Sequence, residues 1–278
     1  MSAVVLALAA SLCWGVGDFI GGLATRRLGA FRVLLVSQTP TLALIALLTI
    51  VRGHRLQPGL WIVAGILGGL VGLVGLAALY RGMAIGVVSI VAAIAATAPI
   101  VPLVIGIVLG ERPSTMQLAG IIMALGGVLF LTLDQRPSLE NQRLLPGIGL
   151  AVVAALAFGG FLVAMRYASR PDPLFGVLAV RVGSVGALLT LAAVRRPELQ
   201  LRPPELGRLF TVGILDVGAD VLFAVATTVG LLSIVSVLSS LYPVVTVLLA
   251  RLVLDERLNR SQALGILLAF AGVLLISF

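Results

Sequence analysis

Two aspartates four residues apart, Asp216 and Asp220, lie inside an apolar run that extends from Leu209 to Val229. That spacing sets both carboxylates on one face of a helix. Ionisable groups inside a bilayer-spanning segment are costly, so each is a functional candidate by default. Arg181 lies in the preceding apolar run, Leu174 to Val194, and aligns with Gln38 in the second run of the chain. In a cavity, a carboxylate could meet a substrate ammonium, and two carboxylates one turn apart could share and pass a proton. Arg181 could meet a substrate carboxylate. The alternative is a buried ion pair that only ties two helices together, a weak contributor to stability because desolvation offsets much of the attraction.

Other residues qualify on type and place. Trp14 and Tyr242 could offer flat apolar faces to a substrate, although aromatic residues in spans often pack or anchor, and Tyr80 ends the third run. Ser239 and Ser240 could give hydroxyls to a substrate or to a kinked backbone. Pro99, Pro102 and Pro243 remove backbone hydrogen bonds within spans, which predicts kinks, with Pro99 and Pro243 the candidates for gating. Asp18, one turn beyond Trp14, and Arg81 are expected as solvated ends near the membrane edge.

These residues need a bilayer around them. The chain is 60% hydrophobic and 11% charged over 278 residues, whereas soluble domains carry about a quarter charged residues. A helix crossing the hydrocarbon core needs about 20 mostly apolar residues. Ten such runs are present: Ala3 to Leu23, Phe31 to Val51, Leu60 to Leu79, Val87 to Leu109, Thr115 to Leu133, Gly147 to Ala168, Leu174 to Val194, Leu209 to Val229, Ile234 to Leu254 and Leu258 to Phe278.

The runs repeat. From Glu111 and Glu256 onward, nine of 23 aligned positions are identical, including Gln117/Gln262, Gly120/Gly265 and Gly127/Gly272. Upstream, Ser11 to Gly15 aligns with Ala155 to Gly159, so the chain divides into halves of residues 1–139 and 140–278. Five spans per half is an odd number, which inverts the second half relative to the first, a recurring plan of secondary transporters. Ser89/Ser233 and Glu111/Glu256 recur in both halves and so suit a shared architecture better than one asymmetric ligand. Gly65, Gly68, Gly69, Gly72 and Gly75 in the third run permit close approach of helices, as do the glycine pairs of the last run of each half.

The paired glutamate elbows followed by Gln and Gly, together with Trp14-Gly15, Pro99 and Pro243, resemble the EamA-type transporters of the drug/metabolite transporter superfamily. That resemblance implies an all-α membrane protein of ten transmembrane helices, two inverted five-helix repeats around a central cavity. It also implies export or exchange of small metabolites such as amino acids by alternating access. The expected site is Trp14, Gln38, Tyr80, Arg181, Asp216, Asp220, Ser239 and Tyr242. A zwitterion is the first substrate expected, with protons as a second candidate cargo, and no cofactor or metal is expected.

The function classes narrow further. The only histidine, His54, lies in a loop, so an intramembrane enzyme is disfavoured, and no phosphate-cradling motif suggests an ATP-driven pump. A channel or scaffold is the remaining alternative. The net charge of +8 comes from arginines at segment ends, where lipid headgroups are the expected partners rather than nucleic acid. Cys13 is alone, which excludes an intramolecular disulfide. Loops after odd-numbered spans hold thirteen arginines and the other side five, which by charge would place both termini outside. The family resemblance implies cytoplasmic termini and is preferred, giving a multi-pass protein of the inner (plasma) membrane, as monomer or homodimer.

Overall fold

The structure, a computed structural model, describes residues 2–53, 58–85, 91, 94–133, 144–197, 202–254 and 260–277. They form the helices α1 (Ala3–Leu28), α2 (Ala30–Arg52), α3 (Leu60–Ile85), α4 (Ile100–Val108), α5 (Thr115–Leu133), α6 (Leu144–Ala168), α7 (Pro173–Arg195), α8 (Pro203–Val229), α9 (Leu232–Ser239), α10 (Tyr242–Leu254) and α11 (Arg260–Ser277). The protein is all-helical and built to span a membrane. Eight helical stretches among the described residues are long and apolar enough to cross a bilayer, and Thr115–Phe130 is a shorter apolar one.

Helix ends follow local chemistry. Gly29 at φ 79° closes α1, and Gly53 at φ 70° closes α2. A side chain in either position would be strained, because that backbone region brings Cβ against the carbonyl oxygen. Asp172 caps α7 by accepting hydrogen bonds from the N–H groups of Leu174 (2.9 Å) and Phe175 (3.4 Å), with Pro173 as the first helical residue.

The two halves pack as a pair related by exchange. α1 lies along α8 while its repeat counterpart α6 lies along α3, and α2 packs on α7 as α5 packs on α11. Small residues make this approach possible. A Cβ on Gly15 would stand 2.8 Å from Tyr242 O, and one on the equivalent Gly159 would stand 2.6 Å from Ala98 O. Gly69 and Gly213 are also equivalent, the first against the backbone of Val180 and the second against that of Ser37. In α5 and α11 the glycines meet crosswise: a Cβ on Gly120 would lie 2.7 Å from Gly272 O, and one on Gly127 would lie 2.5 Å from Gly265 O.

One expected span is divided. The run Ile234 to Leu254 is α9 and α10 with a break at Ser240-Leu241, where Ser240 N–H donates to Ser236 O (3.1 Å) and Leu241 N–H to Leu238 O (3.3 Å). In the first half the chain turns at Ala96–Pro99 before α4, the same place in the repeat. Pro243 and Pro99 sit at these breaks because neither can donate to the preceding turn.

Candidate functional site

A cavity of about 540 Å³ occupies the centre of the bundle. Its floor is the pair of breaks, with Ala98 and Pro99 from the first half and Ser240, Tyr242 and Pro243 from the second. From there it extends past Asp18 and Gly22 to Thr25 at the end of α1, and past Leu76 to Leu79 in α3. Its lining includes no described residue of α1 before Trp14, of α6 after Leu162 or of α8 after Asp220. The cavity therefore reaches one end of the bundle and stops at the level of the breaks.

Among the described residues its charged groups come from three helices. Arg181 Nη2 in α7 donates to Asp216 Oδ2 at 2.7 Å and to Asp220 Oδ2 at 2.6 Å, both in α8. The Arg181 side chain is only 3% exposed and that of Asp220 5%, whereas Asp216 is 32% exposed. The Trp14 ring lies 5.9 Å from that of Phe223. Asp18 lines the same cavity, exposed to it and near enough to Asp216 for their charges to interact. Gln38 Oε1 and Arg181 Nε are buried without a partner.

The walls differ chemically. α1, α7 and α8 supply Asp18, Arg181, Asp216 and Asp220, whereas α3 and α6 supply Gly72, Leu76, Phe158, Phe161 and Leu162. The repeat makes the contrast explicit, since Gly72 and Leu76 occupy the places of Asp216 and Asp220, and Leu162 that of Asp18.

The far end is sealed by two helix termini and an ion pair. Glu111, in the elbow after α4, accepts from the N–H groups of Leu232 (2.6 Å) and Ser233 (2.9 Å) at the start of α9. Arg166, near the end of α6, donates to Thr227 O (2.7 Å) and Gly230 O (3.2 Å) at the end of α8, and reaches Glu111 at 3.8 Å. An anion at a helix N-terminus and a cation at a C-terminus both complement the helix dipoles. Beneath this pair lies a core of fully buried residues that includes Ala10, Met165, Phe223 and Val235. Equivalent positions thus differ in environment between the halves, one set bordering the cavity and the other packed in the core. Gly21, Thr25, Leu79 and Ala95 line the cavity, while their counterparts Met165, Ser169, Phe223 and Ser239 are fully buried.

The sequence matches the EamA-like transporter family twice, over residues 1–133 and 145–278. The chain belongs to that family. The EamA family is one of membrane transporters, so this is a multi-pass membrane protein with the two-repeat EamA architecture. A solved structure described only as "Crystal structure of protein" is similar in fold at a TM-score of 0.83, with 21% identity, over 98% of this chain and 95% of that one. At that identity the likeness speaks for fold alone. No curated protein matches the sequence.

Of the residues singled out in this EamA chain, Trp14, Gln38, Pro99, Arg181, Asp216, Asp220, Tyr242 and Pro243 all line the cavity. Ser239 does not. It ends α9 facing the packed core, fully buried with its Oγ unpaired, and the turn that follows presents Ser240 instead. Asp18 is corrected from a solvated end to a cavity residue, because α1 continues to Leu28 and leaves it well inside the bundle. Arg81 is exposed. Tyr80 belongs to α3 with its side chain outside the described residues, as are Glu256, Ser89 and His54. The sequence reading missed Arg166 as a partner of Glu111, treating it as one more arginine at a segment end. No local signal marked it, because α6 is apolar on all sides and has no distinct face against which an arginine would stand out.

Proposed function

We propose that the chain is a secondary carrier that moves small amino-bearing metabolites by alternating access at the central cavity, with amino acids the first class to test. Glu111 and Arg166 hold one end shut while the other stands open. The observation that carries this reading is the mismatch between equivalent positions: a set that lines the open end in the first half is buried at the sealed end in the second. Two related halves can exchange these environments by rocking about the breaks, which leaves the site in place and moves the opening. Ser239, at the place of Ala95, would then face the cavity when the sealed end opens.

In this cycle the charged wall binds the polar part of a metabolite, and Trp14 and Tyr242 flank it. The Glu111 carboxylate gains two backbone donors on closing and returns to water on opening, so it biases the equilibrium without touching cargo. Its sequence twin, Glu256, would take the same part at the other end. The carrier is tested by uptake of labelled amino acids and amines into proteoliposomes, with and without a pH gradient. Saturable, counterflow-competent uptake is expected. Flux that rises linearly with concentration would instead indicate a channel, and no movement of any amino-bearing compound would remove the reading.

A further inference from the structure

The cavity presents its charges unequally. Among the described residues that line it Arg181 is the one guanidinium, and it is buried and already ion-paired, with Nη2 donating to both Asp216 and Asp220. The carboxylates are in surplus, and Asp216 and Asp18 are the two exposed to the cavity. Among the described lining residues a substrate carboxylate would find no cation that is not already ion-paired and would face like charge, which costs several kcal/mol where such groups are juxtaposed. With one of the three carboxyls protonated, two carboxylates still stand against one guanidinium among the described lining residues. The unpaired Gln38 Oε1 and Arg181 Nε are one acceptor and one donor, so together they favour neither sign of ligand.

The opposite wall carries the second half of the inference. Leu76, Phe158, Phe161 and Leu162 give it an apolar, partly aromatic surface with no charge. A cavity of about 540 Å³ is in the range that encloses a small organic molecule. A ligand that satisfies both walls is charged at one end and hydrocarbon at the other. Aromatic faces are also attractive to cations, so Trp14 and Tyr242 beside the carboxylates favour the same sign.

We propose that the cargo is an amphipathic organic cation, an arylalkylamine in the simplest case, with its ammonium between Asp18 and Asp216 and its ring against the α3–α6 wall. This rests on the carrier reading and narrows it, replacing the zwitterion expected from sequence with a compound that lacks the carboxylate.

The test uses four compounds that share one hydrocarbon and differ in charge: phenethylamine, 2-phenylethanol, phenylalanine and 3-phenylpropanoate. Binding to the purified full chain in detergent is measured by calorimetry, and uptake is followed in proteoliposomes. The expected order of affinity is cation, neutral alcohol, zwitterion, anion, with at least about tenfold between cation and zwitterion. Asp18→Asn and Asp216→Asn should each weaken phenethylamine by about tenfold or more and leave 2-phenylethanol unchanged, which separates loss of charge from loss of fold. Asp18 makes no ion pair with Arg181, so its variant is the safer of the two. Phenylalanine or the anion binding as tightly as the amine, or no binding by the amine, overturns the proposal. So does unchanged amine affinity in both variants. If phenylalanine moves saturably and the amine neither binds nor moves, the charge inference falls and the carrier stands. If the amine binds in the expected order but neither it nor any other amino-bearing compound crosses, the charge inference stands and the carrier falls.

Discussion

Replacing Glu111 with glutamine separates a moving latch from a static staple. The side chain keeps its shape and one carbonyl oxygen, but it loses its charge and one of its two acceptors for the N–H groups of Leu232 and Ser233. A hydrogen bond to a charged group contributes about 1.5–3 kcal/mol, and a carboxylate at a helix N-terminus adds about 0.3–1 kcal/mol. Part of this is kept by the remaining oxygen, so the sealed end should lose about 2–3 kcal/mol relative to the opened one, where the side chain is hydrated in either variant. At about 1.4 kcal/mol per decade, the ratio of opened to sealed shifts roughly 30- to 150-fold. Ser239→Cys in a Cys13→Ser background reports it, since position 239 is fully buried and its hydroxyl makes no bond that the thiol would break. Maleimide labelling in proteoliposomes should accelerate by one to two orders of magnitude in Glu111→Gln. A rate within about threefold of the parent, in protein that still elutes as a folded species, would show that the contact does not open in the cycle and would refute the latch.

Three further outcomes follow from the packing. Gly127→Val places a Cβ 2.5 Å from Gly265 O, so it should cost about 1–3 kcal/mol by overpacking and lower the thermal midpoint in detergent, while Gly126→Val, with nothing within 4 Å, should not. Arg181→Met strips the cation from buried Asp220, a loss of about 3–5 kcal/mol seen as reduced thermal stability, and adding Asp220→Asn should restore much of that stability without restoring uptake. Pro243→Ala and Pro99→Ala should slow uptake while leaving the thermal midpoint near the parent value; normal rates in both would end the gating role assigned to the breaks.

The spans were legible because composition alone forces them: a run of about 20 apolar residues has few alternatives to crossing lipid. Residues Thr115–Leu133 are helical to the very ends read from sequence, and the Gly120/Gly127 and Gly265/Gly272 spacings named a contact that the structure makes between α5 and α11. Asp18 was misplaced for a physical reason. Apolar character fades after Leu23, but α1 continues through Thr25-Arg26-Arg27 to Leu28, so the end of the hydrophobic run is not the end of the helix. Ser239 failed differently, since proximity to a proline announces a break but not which side chain the break turns inward. Arg166 was hidden by its partner, because nothing local to Val163-Ala164-Met165 indicates a glutamate 55 positions earlier.

The positions that the halves share and those on which they differ divide the work. Gly15 and Gly159, and Gly69 and Gly213, make equivalent contacts, with Pro99 and Pro243 at equivalent breaks, and a carrier that exchanges two conformations needs such contacts to be near-equal in both. A cargo with one charged end has no two-fold symmetry, so the groups that recognise it must break the repeat. They do: Asp216 and Asp220 face Gly72 and Leu76 across the exchange, Asp18 faces Leu162, and Arg181 faces Gln38. Grafting Asp onto position 72 tests the division directly. It should disturb helix packing only where Phe161 crowds a Cβ at 3.1 Å, yet set a charge into the apolar wall beside Phe161 and so weaken the preference for an amphipathic ligand. Folded Gly72→Asp protein that still bound phenethylamine with parental affinity would show that recognition does not depend on the asymmetry of the halves.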